Sequence, residues 1–156
     1  MTSPQAATTL FVDADSCPVK DEVYKVARRY RLPVKVVANA FLMVPIEPLI
    51  ERIVVEAGPD IADDWIAERA GPADIVISAD IPLAERCLKA GAQVIAPNGR
   101  SFTVDSIGAA LAGRAVAEHL RSFGQTTSGP RPFGAADRSR FLSALDEAVH
   151  KARRRR

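Results

Sequence analysis

Short apolar runs alternate with longer amphipathic segments along most of the chain. The runs are rich in Val, Ile and Phe, which favour strands, whereas the apolar residues of the longer segments recur at helical spacing. The pattern predicts strands at residues 8–12, 32–38, 52–55, 74–78 and 93–96, and helices at about 18–30, 61–70, 82–90, 105–121 and from 138 onward. Between the second and third strands, Pro45 and Pro48 indicate a loop.

Polar residues and glycines mark the ends of these elements. Asp60 is expected to cap helix 61–70, with Asp63 in the capping-box position three residues later. Gly91 is expected to end helix 82–90, and Asp137 to cap the last helix. Residues 97–99, Pro-Asn-Gly, predict a turn.

Strands that alternate with helices predict an α/β fold. Parallel strands need crossover connections, and the helices supply them on both faces of the sheet. We therefore expect a three-layer sandwich with a mostly parallel central sheet, formed by residues 1–156 as a single domain. Residues 125–156 are expected to form a basic loop, a helix and a frayed tail at Arg153–Arg156. In such folds, ligands bind outside the carboxyl ends of the strands, where the strand order reverses.

The composition is typical of one soluble cytoplasmic domain. The chain has 156 residues, of which 47% are apolar and 26% charged. Its longest apolar stretch, residues 40–46, is far below the roughly 20 residues that a membrane-spanning helix needs. The first fifteen residues contain no Lys or Arg, so no cleaved secretory signal is expected. Cys17 and Cys87 are not in a C-x-x-C pair and are expected to be reduced thiols near the core.

Charge is distributed unevenly along the chain. Residues 1–120 contain 12 Lys/Arg and 16 Asp/Glu, whereas residues 121–156 contain 9 and 3. An acidic body with a basic end is compatible with a metal-dependent enzyme acting on a polyanion, because carboxylates hold cations and basic groups attract phosphate. A solvated tail would give the same balance.

Five acids are candidates for one cluster at the carboxyl edge of the sheet. Asp13 and Asp15 follow the first strand, Asp80 follows strand 74–78, and Asp63 and Asp64 open the helix that leads into that strand. Carboxylates packed closely together repel one another unless a cation neutralises them. Oxygen ligands favour Mg²⁺ or Mn²⁺.

Simpler roles are open for some of these residues. Asp15, Asp60 and Asp63 could cap turns or helices, and capping is the role we expect for Asp60. Solvation explains Asp13 and Asp80 less well, because each follows a strongly apolar strand. Ser78 could face the same pocket. A buried hydroxyl bonded to backbone is the alternative for this residue.

Five motifs resemble those of the YaiI/YqxD family of uncharacterised bacterial proteins. They are VDADSCPV at 12–19, DDWIA at 63–67, DIVISADIPLA at 74–84, GPRPF at 129–133 and DRSRF at 137–141. That family is grouped by fold with PIN-like domains, whose active members are metal-dependent ribonucleases. The resemblance therefore implies a PIN-like fold and a divalent-metal-dependent phosphodiesterase or nuclease acting on RNA or single-stranded nucleic acid.

The resemblance also implies roles for individual residues. Three acids would hold the metal: Asp13, a middle acid that matches Asp63 or Asp64, and Asp80. Ser78 matches a small hydroxyl residue near the third acid. We take Asp64 as the middle ligand. The pattern often has a fourth acid shortly after the third, but only Glu85 follows Asp80 closely. Asp15 would then fill that role.

Arginines near the carboxyl end are candidate phosphate contacts. Arg131, Arg138 and Arg140 lie in or beside the GPRPF motif, and the planar guanidinium matches phosphate oxygens. The alternative is that Phe133 and Phe141 pin this segment against the core. A homodimer is one candidate assembly, but no apolar patch in the sequence decides it.

Two other functions compete with the nuclease. The first strand and its D-x-D resemble those of haloacid-dehalogenase-like phosphatases, in which Asp13 would be the nucleophile and Asp15 the acid and base. The later strand ending in paired acids that this family needs is absent, because strand 93–96 leads into Pro-Asn-Gly. The other rival is a non-catalytic nucleic-acid-binding module. Nucleophilic catalysis by Cys17 is a lesser alternative.

Overall fold

Five parallel strands and one short antiparallel strand form a single sheet in the computed structural model, which describes residues 7–109, 112 and 133–154. The strands are β1 (Leu10–Asp13), β2 (Val34–Ala38), β3 (Ile50–Val54), β4 (Ile75–Ile77), β5 (Gln93–Ile95) and β6 (Ser101–Phe102). The helices are α1 (Lys20–Tyr30), α2 (Ile61–Arg69), α3 (Ile81–Lys89) and α4 (Ala135–Arg154), with a 3₁₀ turn at Ala14–Ser16. Residues 104–109 are also helical.

The strand order is β3-β2-β1-β4-β5-β6, so the order reverses between β1 and β4. Leu10 pairs with Val34 on one side and with Ile75 on the other. The carboxyl ends of β1 and β4 are therefore adjacent. Strand β6 pairs antiparallel with β5 and was not predicted, since two residues are too few to show a periodic pattern.

Two apolar layers cover the sheet. Helices α1 and α4 pack on the face that carries Leu10 and Val12, whereas α2 and α3 pack on the face that carries Phe11. Successive strand residues point to opposite faces, so burial on both sides requires the continuous apolar runs seen in the sequence. The predicted α/β three-layer sandwich with a mostly parallel sheet is confirmed.

Helix α4 corrects the prediction for the end of the chain. It begins at Ala135 rather than at residue 138, so Asp137 lies in its first turn, where its carboxylate accepts a hydrogen bond from the Gly134 amide. The helix continues through Arg154. The frayed tail predicted from residue 153 is wrong for Arg153 and Arg154, because Arg153 packs its guanidinium over the ring of Tyr30.

The predicted cap of α2 is also wrong. Asp60 has the expected position, but its φ of 66° is left-handed and its side chain makes no capping bond. Asp80 caps α3 instead, and its carboxylate accepts a hydrogen bond from the Leu83 amide at 2.9 Å. Gly91, with φ of 92°, follows α3 as predicted.

Some predictions fall outside the described residues. They include residues 110, 111 and 113–121 of the helix at 105–121, the loop at 125–132 with Arg131, and Arg155 and Arg156 of the tail. The single-domain assignment of residues 1–156 stays a prediction.

Among the described residues no helix has the length and apolar character needed to cross a membrane. Cys17 and Cys87 are buried free thiols, as expected.

Candidate active site

A pocket of about 220 Å³ opens where the strand order reverses. Asp13 reaches it from the end of β1, Asp80 from the residues after β4, and Asp63 from the first turn of α2. Asp15 and Asp60 also line it. Three elements separated in sequence thus bring carboxylates to one crevice, which is where ligands bind in open α/β sheets.

Asp13 is the most enclosed of these acids. The residue is only 7% exposed, and its Oδ2 accepts a hydrogen bond of 2.9 Å from Ser78 Oγ. Burial raises the pKa of the Asp13 carboxyl above its ordinary value of 3.8; the bond from Ser78 opposes this rise, and the charges of Asp15 and Asp80 add to it. The hydrogen bond from Ser78 therefore orients the Asp13 carboxylate, and burial makes its ionised form unfavourable in the absence of a cation.

Ser78 connects the ends of the two central strands. Its Oγ donates to Asp13 and accepts a hydrogen bond of 3.0 Å from the Asp80 amide, while its own amide donates to the Ile95 carbonyl. The buried hydroxyl therefore bonds backbone, as one of the two sequence-based alternatives expects, and it also bonds a carboxylate of the pocket; Ser78 itself is not among the residues that line the pocket. Its donor and acceptor functions hold Asp13 and Asp80 in fixed relation.

Asp63 and Asp64 have different surroundings, although they are neighbours in α2. Burial raises the pKa of Asp63 from 3.8 to about 6, and the charges of Asp80 and Asp13 add to this effect. Asp64 is not among the residues lining the pocket, and its Oδ1 forms an ion pair of 2.5 Å with Arg86 on α3. The structure thus brings Asp63 to the other acids and directs Asp64, the expected middle ligand, elsewhere.

The rim of the pocket contains residues that sequence reasoning missed. Asn39 follows β2, and its Nδ2 donates a hydrogen bond of 3.2 Å to the Gly58 carbonyl; both residues line the pocket. A polar residue directly after a predicted strand was the available signal for Asn39. Gly58 has a φ of 148°, a conformation that an L side chain rarely adopts.

The match to a family model covers most of the chain. The model of an uncharacterised family, YaiI/YqxD, matches residues 11–151. The chain belongs to the YaiI/YqxD family. It is similar to UPF0178 proteins from Caulobacter sp. (strain K31), at 67% identity over 94% of this chain and 97% of that one, and from Rhodopseudomonas palustris (strain BisB5), at 60% over 100% and 94%. No solved structure matches the chain.

Oxygen donors dominate the pocket of this YaiI/YqxD protein. Carboxylates and one amide suit a hard divalent cation and do not suit a thiol- or imidazole-binding metal. Across residues 7–109, 112 and 133–154, no three Asp, Glu, His or Cys side chains form a ready-made metal-binding group. The donor set therefore fits an ion such as Mg²⁺, which keeps several waters and needs only one or two protein carboxylates.

The described arginines of the YaiI/YqxD motifs are engaged in contacts within the chain. Arg138 Nη1 donates to the Pro18 carbonyl at 2.8 Å and to Glu22 at 3.0 Å, and its guanidinium lies over the Phe133 ring. Arg140 forms an ion pair of 2.5 Å with Asp137. The Arg138 contacts tie the start of α4 to Pro18 and to α1, and Phe141 is buried in the core with Phe133 packed against it, which agrees with the pinning role.

Cys17 is poorly suited to be a nucleophile in this YaiI/YqxD chain. Its side chain is buried, and burial raises the pKa of the thiol, so the thiolate is disfavoured at neutral pH. Of the two histidines, His119 lies outside the described residues, and His150 contacts Tyr30 and Asp146. The pocket acids are therefore the best candidates for chemistry.

Proposed function

We propose that this chain is a divalent-metal-dependent phosphodiesterase that cleaves RNA or single-stranded nucleic acid, in which Asp13 and Asp80 hold the metal and Asp63 holds one of its bound waters. The observation that carries the proposal is the convergence of these three acids at the reversal of strand order. Mg²⁺ or Mn²⁺ is the expected metal. Asp63 replaces Asp64 in this assignment because Asp64 pairs with Arg86.

The electrostatics of the pocket support cation binding. Asp13 and Asp63 both have raised pKa values, caused first by burial and then by neighbouring acids. A cation favours the ionised carboxylates that burial and mutual repulsion penalise, so its binding would relieve both effects. The grouping of the YaiI/YqxD family with PIN-like domains, whose active members are metal-dependent ribonucleases, points to the same chemistry.

Each acid would have its own task. Asp13, held by Ser78, and Asp80, oriented by the Leu83 amide, would be fixed ligands. Asp63, in its ionised form, would accept a hydrogen bond from a water on the metal. A bound divalent ion would polarise the phosphodiester and lower the pKa of an attacking water. Exposed Asp15 on the rim would add negative charge that attracts the cation.

The test is a cleavage assay on RNA and single-stranded DNA of mixed sequence, in Mg²⁺ and in Mn²⁺. We expect Asp13→Asn, Asp63→Asn and Asp80→Asn each to lower the cleavage rate by at least about 100-fold, a loss typical of removing one group that stabilises transition-state charge. Asp64→Asn is the matched control, since it removes an acid from the same helical turn outside the pocket. Its rate should stay within a few-fold of the wild type.

Three results would contradict the proposal. Wild-type protein that binds these substrates without cutting them in either metal would support the non-catalytic binding module. A beryllofluoride adduct on Asp13, with phosphatase activity, would support the haloacid-dehalogenase-like alternative. Equal losses in Asp63→Asn and Asp64→Asn, with circular dichroism unchanged, would contradict the choice of Asp63 over Asp64.

A further inference from the structure

The connection between β2 and β3 crosses one face of the sheet as an irregular segment, residues 39–49. A crossover between parallel strands is usually a helix, whose outer face is polar. Here Leu42 and Val44 pack against the core beside α1, whereas Phe41 and Met43 are 66% and 79% exposed. The segment therefore covers the sheet with one set of apolar side chains and presents a second set outward.

Five large apolar side chains, which we call the edge patch, are exposed on this segment and on β3. They are Phe41, Met43, Ile46, Leu49 and Val54, with exposures of 66%, 79%, 102%, 38% and 49%. The guanidinium of Arg52 on β3 lies 4.1 Å from the Phe41 ring centroid, which joins the segment to the strand. At roughly 150–200 Å² for each fully exposed side chain, the patch presents on the order of 600 Å², the upper end for a monomer.

Strand β3 is also an edge of the sheet. It pairs with β2 on one side, and within the described residues no strand pairs with its other side. Natural edge strands are commonly short, bulged or covered, because their free N–H and C=O groups can pair with another chain. This edge has five residues and lies beside the edge patch.

Three charged residues within or beside the edge patch make contacts within the chain. Glu47 forms an ion pair with Arg28 of α1, and Glu51 forms one of 2.6 Å with Lys35 of β2. The Arg52 guanidinium stacks over the Phe41 ring and donates a hydrogen bond of 3.3 Å to the Leu42 carbonyl. Two copies of this surface could thus approach without a large like-charge penalty.

We propose that the edge patch is the contact surface between two copies of this chain, related by a two-fold axis. A standard stable interface takes about 800 Å² from each partner, and the patch with the adjoining backbone edge of β3 supplies most of that area. A two-fold contact requires a self-complementary surface, and an apolar patch whose neighbours Glu47, Glu51 and Arg52 are held by contacts within the chain satisfies this requirement. The inference does not rest on the proposed function.

The test is sedimentation-velocity ultracentrifugation of the full chain over a range of concentrations. The wild type should form a dimer, and Ile46→Asp should raise the dissociation constant by at least about tenfold. Ile46 is fully exposed, so the substitution leaves the core intact. Val104→Asp is the matched control, because Val104 is 75% exposed just after β6, at the opposite edge of the sheet.

Met43→Glu provides a second disruption of the patch, and the circular dichroism spectrum of each variant confirms that it folds. A wild type that stays monomeric at about 100 µM would overturn the proposal. The proposal would also be overturned if the dimers of Ile46→Asp and Met43→Glu had the same dissociation constant as the dimer of Val104→Asp. A monomer that co-sediments with vesicles of phosphatidylcholine and phosphatidylglycerol would assign the patch to a lipid surface instead.

Discussion

Replacing Asp63 with Asn should stabilise the metal-free protein at pH 8 and change its stability little at pH 4. The pKa of Asp63 rises from 3.8 to about 6 on folding. Between these two values the folded state binds more protons than the unfolded state, so the free energy of unfolding falls as pH rises through this window. Above pH 6 Asp63 is ionised in the folded wild type, which then bears the full free-energy cost of this half-buried charge. The Asn side chain is neutral and has no such cost.

The size of the effect follows from the same pKa. At 1.36 kcal/mol per pKa unit, the rise from 3.8 to about 6 corresponds to about 3 kcal/mol, which solvent screening of this half-buried side chain reduces to roughly 1–2 kcal/mol. Asp63 also lies in the first turn of α2, where losing a negative charge costs about 0.3–1 kcal/mol. We therefore expect a net gain of about 1 kcal/mol at pH 8.

Urea unfolding in a chelator-containing buffer of low ionic strength measures this gain, since guanidinium would screen the charges. The control is Asp64→Asn, which removes the exposed ion pair with Arg86 and a negative charge from the same first turn of α2, and should lower stability by about 0.5–1.5 kcal/mol at pH 8. No stabilisation by Asp63→Asn at pH 8, or an equal stabilisation at pH 4 and pH 8, would refute the electrostatic reasoning.

Ser78→Ala should lower the free energy of unfolding by about 1–3 kcal/mol, because it leaves buried Asp13 without its hydrogen-bond donor; Ser78→Thr should recover part of this loss in the same urea assay. Gly99→Ala should cost at least about 1–3 kcal/mol, since φ is 89° and a Cβ would lie 2.6 Å from the backbone of α4. Gly108→Ala, which meets open space in a helical turn, should be neutral or stabilising. Cys87, whose pKa burial raises to about 11, should resist iodoacetamide at pH 8 until the protein unfolds. Mass spectrometry showing rapid native labelling would contradict this.

Fold class was predictable because the strands are buried on both faces. That burial requires apolar runs such as residues 10–12 and 75–77, and the helices between them fix the parallel direction. The placement of Asp13 and Asp80 at the same edge of the sheet followed from this parallel direction, because each residue lies at or just after the carboxyl end of a strand. Strand β6 could not be predicted, since two residues show no periodic pattern, whereas the loop that Pro45 and Pro48 predict is confirmed in residues 39–49.

The choice between Asp63 and Asp64 depended on how α2 is rotated against the sheet. Apolar residues occur around most of the helix rather than in one stripe: Ile61, Ala62, Trp65, Ile66 and Ala67. The sequence therefore predicts no inner face, and adjacent residues point about 100° apart. Burial of Ala62 and Ile66 sets the rotation that turns Asp63 to the pocket.

Strand β1 lies in the middle of the sheet, between a neighbour that follows soon in the chain and one that comes much later. Ser78 is 65 residues beyond Asp13, so a ribosome translating about 5–20 residues per second delivers it several seconds after the first acid. Until then the nascent chain has an open strand beside Asp13. Translation order thus delays completion of the candidate centre by several seconds after its first acid is made, and chaperone protection of β1 would matter most during that interval.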